Sequence, residues 1–159
     1  MAAPYLLSSS TVVDASPQAA YDALVAAPLE ELFTTSAGPI PPVVRCEGQV
    51  GEWGTSGATR KVVLADGSGN LETMVGADRA TQEYRYRLSD FEGPFKRLIT
   101  SIDGQFTFVA EGAGTRVTWT WALNPVNAVT RLALPVVGFF WGRYATAMWP
   151  RYEALAVAA

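Results

Sequence analysis

The side chains that could carry chemistry in this chain are few, because its 159 residues include no histidine and one cysteine, Cys46. The lack of histidine excludes a Ser-His-Asp triad, a Cys-His pair and almost every kind of zinc site. The sequence also has no calcium-type spacing of carboxylates and no glycine-rich phosphate loop. No base lies beside Cys46, so we expect a small buried residue there rather than a nucleophile. Any chemistry should rest on Arg, Lys, Asp, Glu, Tyr, Ser, Thr, Cys or backbone groups, with no metal and no cofactor.

Arg60 and Glu72 form the pair best suited to acid–base chemistry. Arg60 shares strand parity with Val62 and Leu64, so it points inward if they do. A buried guanidinium needs a partner, and Glu72 lies on the next strand, across the turn 65–69. The guanidinium could steady an enolate while the carboxylate moves a proton. The alternative is a structural ion pair at the mouth of a cavity.

Tyr84 and Tyr86 alternate with charged residues in the cleanest strand pattern of the chain, residues 82–88. Their common parity predicts that both rings face inward. A buried tyrosine usually finds a partner for its hydroxyl, which could act as a weak general acid or hold a ligand oxygen. We assign Tyr84 to the candidate catalytic set, with Arg60 and Glu72, and Tyr86 to the candidate ligand-binding set. An ordinary core position is the alternative for either tyrosine.

Other aromatic residues share the inward parity of their strands or follow a helical spacing. We expect most of them to be core and a subset to line a pocket, where they could stack against a flat or conjugated ligand. The candidate ligand-binding residues besides Tyr86 are Phe106, Phe108, Trp119, Trp121, Trp141, Tyr144 and Met148.

An antiparallel sheet is needed to position these side chains. Residues 5–13 predict a first strand, and Ser16 followed by Pro17 predicts the start of the first of two short helices. About six further strands follow, joined by short Gly- and Asp-rich turns. They are predicted at residues 43–50, 59–64, 71–76, 82–88, 97–111 and 115–123. Within 97–111, Asp103-Gly104 is either a hairpin turn or a bulge in one long strand.

The C-terminal part of the chain, from about Asn127, predicts a long apolar helix with a kink or a break at Pro150. This helix is the only predicted element long enough to cover the sheet. A strongly curved sheet around one helix leaves a cavity, which is the default ligand site. We expect the inward strand faces and the helix from about Leu134 to Trp149 to form its walls.

Composition is typical of a globular protein, since 49% of the residues are hydrophobic and 17% charged. Together with the order of the predicted elements, it predicts one α+β domain covering residues 1–159. A net charge of −3 without any basic run makes a nucleic-acid partner unexpected. No apolar run is long enough to span a bilayer. With one cysteine and no recognisable leader, we expect a cytoplasmic protein. Either a monomer or a homodimer is compatible with the sequence.

Residues 57–64 and 114–119, with Asp66-Gly67, Glu72, Tyr84 and Tyr86 between them, resemble the SRPBCC or START-like helix-grip superfamily. This group includes START domains, the Bet v 1 allergens and polyketide cyclase/dehydrase proteins, and the likeness in element order covers nearly the whole chain. The resemblance implies a helix-grip fold and binding of sterols, lipids, hormones or polyketides. Some members catalyse cyclisation, dehydration or isomerisation. In the similar plant lachrymatory-factor synthases, an Arg and a Glu are thought to transfer protons, and Arg60 and Glu72 hold comparable places.

Three functions follow as hypotheses. The favoured one is a cofactor-free cyclase, dehydratase or isomerase acting on a small hydrophobic, oxygenated molecule, in which Arg60 polarises a carbonyl and Glu72 shuttles the proton. A non-catalytic carrier or sensor would use the same cavity for binding alone. A protein-interaction module of the same fold would instead have a filled core and a large exposed apolar patch.

Overall fold

Seven β-strands and four α-helices make up the part of the chain that the computed structural model describes, residues 2–159. The strands are β1 Tyr5–Val13, β2 Val43–Val50, β3 Thr59–Leu64, β4 Gly69–Asp78, β5 Glu83–Ser89, β6 Ile99–Glu111 and β7 Gly114–Pro125. They form one antiparallel sheet in the order β1-β7-β6-β5-β4-β3-β2, so that β1 and β2 are its edges. The predicted fold class is confirmed, and the strand bounds differ from the predicted ones by at most a few residues.

The alternation expected from the sequence is present in β5 and β7. In β5, Tyr84, Tyr86 and Leu88 are buried while Arg85 and Arg87 are exposed. Every second side chain of β7 is likewise buried, from Thr115 to Leu123 and beyond. The sheet therefore presents one aromatic-rich face to the core, and each fully buried large apolar side chain on it contributes roughly 1.5–3 kcal/mol.

Gly104 lies in the middle of β6, which is one long strand and not a hairpin. The residue pairs with Tyr86 of β5 on one side and with Trp121 of β7 on the other. A Cβ atom at this position would overlap the ring of Tyr86. Glycine is required here because the tyrosine ring crosses the strand at this point.

The helices are α1 Pro17–Ala26, α2 Leu29–Leu32, α3 Ala128–Arg131 and α4 Leu134–Ala158. As predicted, Ser16 caps α1, because its Oγ accepts a hydrogen bond of 3.1 Å from the amide of Ala19. Asn127 and Thr130 form a reciprocal capping box at the start of α3. A short 3-10 helix, Pro94–Arg97, precedes β6.

Of the two alternatives predicted at Pro150, a kink or a break, the break is wrong, because helix α4 continues through this residue. Residues on both sides of this proline are held in the core: Trp149 donates to Ser9 at 2.9 Å, and the Tyr152 hydroxyl donates to the carbonyl of Ala20 at 2.6 Å. These contacts anchor α4 against β1 and α1. Within the described range, no helix combines the length and the apolar character that crossing a bilayer requires.

Candidate functional site

A cavity of about 150 Å³ lies between the concave face of the sheet and the helices α1 and α2. Leu24, Leu29, Leu32 and Phe33 form the helical wall, and Tyr144 is the α4 residue that reaches it. The helical wall therefore differs from the expected one, because α1 and α2 provide most of it. The segments 39–41, 66–70 and 91–95 line the cavity from loops and strand ends.

The candidate residues divide into those that line the cavity and those that do not. The lining set consists of Glu72, Tyr84, Tyr86, Phe106, Trp119, Trp121 and Tyr144. Arg60 lies behind Glu72, and Phe108 packs edge-on against Tyr21 with ring centroids 5.6 Å apart. Trp141 packs on Trp119 at 4.8 Å, and Met148 is buried in the core away from the cavity.

Arg60 and Glu72 face each other directly across β3 and β4, as the turn between these strands requires. The Arg60 Nε donates to Glu72 Oε2 at 2.7 Å, and the two side chains are only 8% and 6% exposed. Oε1 of Glu72 accepts no hydrogen bond from residues 2–159. Glu72 therefore presents to the cavity a carboxylate whose Oε2 is held by Arg60 and whose Oε1 is available to bind a ligand.

Trp53 covers the guanidinium from the loop between β2 and β3. Its ring centroid lies 3.6 Å from the Arg60 Cζ, and its Nε1 donates to the Tyr84 hydroxyl at 3.3 Å. The loop reaches this position at Gly54, where φ is +100° and a Cβ atom would press on Val25 of α1. Trp53 was not among the predicted site residues, although a lone tryptophan in a glycine-rich segment just before the Arg60 strand was a usable signal.

The Tyr86 hydroxyl accepts two hydrogen bonds from side chains of β7. The indole Nε1 atoms of Trp119 and Trp121 donate to it at 2.7 and 2.8 Å. The ring of Phe106 stacks on Trp119, with an interplanar angle of 5°. These contacts hold four aromatic rings in one wall of the cavity.

Burial controls the protonation of the site. Burial raises the pKa of Glu72 above its ordinary 4.5, and the charge of Arg60 opposes this shift. Burial also raises the pKa values of Tyr84 and Tyr86, and the nearby Glu72 adds to the effect. Both phenols therefore keep their hydrogens at neutral pH. Burial raises the pKa of Cys46 to about 11, so its thiol is not an activated nucleophile.

Asn70 is a further residue of the site that was not predicted from the sequence. Its side chain lines the cavity from β4, and its Oδ1 is buried without a hydrogen-bond partner among the described residues. Its position directly after the turn that joins β3 to β4 gave no signal, because turn residues of this type are usually exposed. A buried, unpaired carbonyl oxygen is costly unless a ligand or water satisfies it.

The segment 89–96, between β5 and β6, lies at the cavity edge. Phe91 and Phe95 contribute apolar surface there and pack edge-on at 5.8 Å. The amide of Glu92 donates to the carbonyl of Gly69 at 2.9 Å, and its carboxylate pairs with Lys61. Across residues 2–159, no three carboxylate, thiol or imidazole side chains lie close enough together to hold a metal ion.

Comparison with known proteins gives the family of the chain. Residues 6–156 match the family model described as polyketide cyclase / dehydrase and lipid transport. A search of curated proteins finds no match.

Three solved structures share the fold over nearly their whole length. Ara h 8.0201 is 15% identical, with a TM-score of 0.68 and coverage of 98% of this chain and 99% of its own. Major latex-like protein 151 from Panax ginseng is 13% identical, with a TM-score of 0.71 and coverage of 96% and 97%. TTHA0849 from Thermus thermophilus is 18% identical, with a TM-score of 0.69 and coverage of 97% and 98%. At these identities the likeness shows a Bet v 1-like helix-grip fold, and the match over residues 6–156 shows that the chain belongs to the polyketide cyclase/dehydrase and lipid transport family.

Proposed function

We propose that the cavity binds a small hydrophobic, oxygenated molecule and transforms it by cofactor-free acid–base chemistry of the cyclase, dehydratase or isomerase type. The observation that carries this proposal is Glu72, a buried carboxylate that lines an apolar cavity with one oxygen held by Arg60. Membership of the family supports hydrophobic ligand binding. The raised pKa of Glu72 supports the catalytic part, because a carboxylate poised nearer neutral pH transfers protons more effectively.

Each polar residue has a separate role in this proposal. Glu72 takes a proton from the ligand and returns it at another position. Arg60 does not line the cavity, so we assign it to orienting Glu72 and stabilising its charge. Tyr84 is held at the cavity wall by the indole of Trp53 and keeps its hydrogen, which suits a neutral hydrogen-bond donor to the ligand.

The size of the cavity limits the ligand. A volume of about 150 Å³ is close to that of an engineered protein cavity that holds benzene. Ligand sites for larger molecules usually measure roughly 300–1,000 Å³. A one-ring molecule therefore fits the cavity, and a larger ligand would have to extend past the loops at residues 39–41 and 91–95.

A carrier or sensor is the second candidate, because the family description includes lipid transport. In that case Arg60 and Glu72 would be a structural ion pair between β3 and β4, and the aromatic walls would bind the ligand. The interaction-module hypothesis has weaker support, since the core is not filled. Leu132 and Phe139 are nevertheless exposed apolar residues on the outer surface. We place the protein in the cytoplasm, as a monomer or homodimer.

Native mass spectrometry of the purified protein, followed by turnover of any co-purified molecule, tests the proposal. We expect a small hydrophobic compound bound to the wild type and to Glu72→Gln, with turnover by the wild type only. Glu47→Gln is the matched control, because Glu47 forms an exposed pair with Arg45 on β2. Full turnover by Glu72→Gln would refute the catalytic assignment and leave the carrier.

A further inference from the structure

The hydrogen of the Tyr86 hydroxyl indicates what kind of group the ligand must present. A phenol oxygen has two lone pairs and one hydrogen. The indoles of Trp119 and Trp121 donate to the oxygen at 2.7 and 2.8 Å, which occupies both lone pairs. The hydrogen remains, and no oxygen or nitrogen in residues 2–159 accepts it.

Other buried tyrosines of the chain are arranged differently. The hydroxyls of Tyr144 and Tyr152 donate to the backbone carbonyls of Pro41 and Ala20, at 3.0 and 2.6 Å. Tyr84 accepts one bond, from Trp53, and so retains a lone pair. Tyr86 alone among these four is a saturated acceptor with an unused hydrogen beside the cavity. A buried donor without a partner is costly, so a ligand atom that accepts this hydrogen stabilises the site.

The Tyr86 hydroxyl and the Glu72 carboxylate are directed toward different strands of the cavity wall. The Tyr86 ring crosses β6 at Gly104 and its hydroxyl meets side chains of β7, whereas Glu72 lies on β4 beside its partner on β3. Neighbouring strands are about 4.8 Å apart. A ligand oxygen bound by Tyr86 therefore lies several ångströms from the atom that Glu72 reaches.

We propose that the cavity selects a flat molecule of about one ring with a carbonyl-type oxygen, which accepts a hydrogen bond from the Tyr86 hydroxyl on the β7 side of the cavity. The inference rests on the proposed function and adds the ligand class and its orientation. Aromatic walls such as Phe106 and Trp119 favour a planar carbonyl conjugated with a ring. A ligand group that donates at this point is disfavoured, because both lone pairs of Tyr86 are occupied.

Three probes of nearly the same shape test this selection: acetophenone, 1-phenylethanol and ethylbenzene. Acetophenone presents an acceptor only, 1-phenylethanol adds a donor, and ethylbenzene has neither. Titration calorimetry on the wild-type protein should give the tightest binding for acetophenone, about tenfold tighter than for ethylbenzene. The infrared carbonyl stretch of bound acetophenone should move to lower frequency than in an apolar solvent.

Two variants identify the residue that makes the selection. Tyr86→Phe should abolish the preference for acetophenone over ethylbenzene. Trp121→Phe frees one lone pair of Tyr86, so it should improve the binding of 1-phenylethanol relative to acetophenone. Because Tyr86→Phe leaves two buried indole N–H groups unpaired and could unfold the chain, the wild-type infrared shift is the measurement that decides independently.

The possible failures are distinguishable. If acetophenone and ethylbenzene bind equally well and the carbonyl stretch is unshifted, the inference is overturned while ligand binding by the cavity stands. If none of the three probes binds to the wild type, the inference and the proposed cavity function are both overturned. A shifted stretch together with full turnover by Glu72→Gln supports the ligand class and removes the catalytic role of Glu72.

Discussion

Arg60 and Glu72 are oppositely charged side chains removed almost completely from water, and this decides what a substitution at either one costs. Their attraction offsets the large penalty of desolvating two charges only while both are present. Losing one partner leaves the other as an isolated buried charge. The ion pair therefore fixes the positions of both side chains but adds little to the free energy of unfolding.

A double-mutant cycle tests this account of the pair. Arg60→Met and Glu72→Met should each destabilise the protein by about 3–5 kcal/mol in urea unfolding, whereas the double variant should be neutral or more stable by up to about 4 kcal/mol. The same cycle on the exposed Arg45–Glu47 pair should change stability by less than about 1 kcal/mol. Additive losses at Arg60 and Glu72 would contradict the coupling.

The raised pKa of Glu72 gives a pH dependence with a defined sign. The folded state holds the proton more tightly than the unfolded state, so this stabilisation is complete below the ordinary pKa of 4.5 and is lost as the pH rises through the folded value. Glu72→Gln should remove that loss when unfolding free energies are compared over about pH 4 to 8. A wild type and a Glu72→Gln variant with parallel pH profiles would show that burial does not perturb this carboxyl group.

Trp53 tests how much the loop contributes to the ion pair. Trp53→Ala should cost about 1–2 kcal/mol through the lost cation–π contact with Arg60, and should lower the pKa of Glu72 toward its ordinary value as water enters. Trp53→Phe keeps a ring over the guanidinium but loses the hydrogen bond to Tyr84, so it should retain most of the stability. The pH profile of turnover and urea unfolding are the measurements, and an unchanged Trp53→Ala variant would mean that the loop does not seal the pair.

How far the site could be predicted depended on whether strand parity applied to each residue. Glu72 and Tyr86 lie in regular strands, so alternation alone placed their side chains on the inner face. Trp53 lies in a loop, where no periodicity operates and the contact with Arg60 depends on the glycine at position 54. The two indole partners of Tyr86 come from a strand more than 30 positions later in the chain, and only the register of β5, β6 and β7 brings them together.

Among the elements, β6 is distinguished by Gly104, because the ring of Tyr86 occupies the space that a side chain at this position would need. The local Asp-Gly pattern suggested a hairpin because turns use the same residue types. Tertiary packing decided between the two interpretations, since the glycine is needed for close approach of the Tyr86 ring rather than for a turn.

At α4 a different factor limited what could be predicted from the sequence. The helix is apolar around most of its circumference, so spacing could not show whether Trp141 or Tyr144 would reach the cavity.

Gly104→Ala tests the role of β6 in shaping the cavity. Its Cβ would force the Tyr86 ring to move, so we expect a loss of about 1–3 kcal/mol and weaker ligand binding, measured by urea unfolding and by titration. Gly142→Ala in α4 is the matched control, because its Cβ meets nothing within 4 Å and alanine favours a helix by roughly 0.5–1 kcal/mol. Equal effects of the two substitutions would contradict the close-approach explanation.

On the scale of the whole molecule, the cavity is an unfilled space that the folded state keeps despite the cost of lost packing contacts. Element order and apolar parity were enough to predict a helix-grip fold, because one long helix and one sheet have few ways to cover each other. The volume left between them could not be predicted. It depends on how closely residues such as Leu32 and Phe33 of the α2 region approach the sheet, which no local pattern determines.

Ligand size is the corresponding test at this scale. Acetophenone at about ten times its Kd should stabilise the fold by about 1.4 kcal/mol and raise the melting temperature by roughly 3–6 °C. Cholesterol should produce no comparable shift, because its four rings exceed a cavity of about 150 Å³. A larger shift with cholesterol would mean that the loops at 39–41 and 91–95 open and that the protein is better described as a lipid carrier.

The reactivity of the Cys46 thiol can be used to measure how often the edge strand β2 separates from the sheet. Cys46 is the only cysteine in the chain, half-buried on the edge strand β2 opposite Val62, and its pKa of about 11 leaves almost no thiolate at neutral pH. Thiol reagents react with the thiolate, so labelling should proceed mainly during the moments when β2 detaches from β3. Because β3 also carries Arg60, the labelling rate would record how often the edge of the sheet opens and exposes the charges behind the cavity.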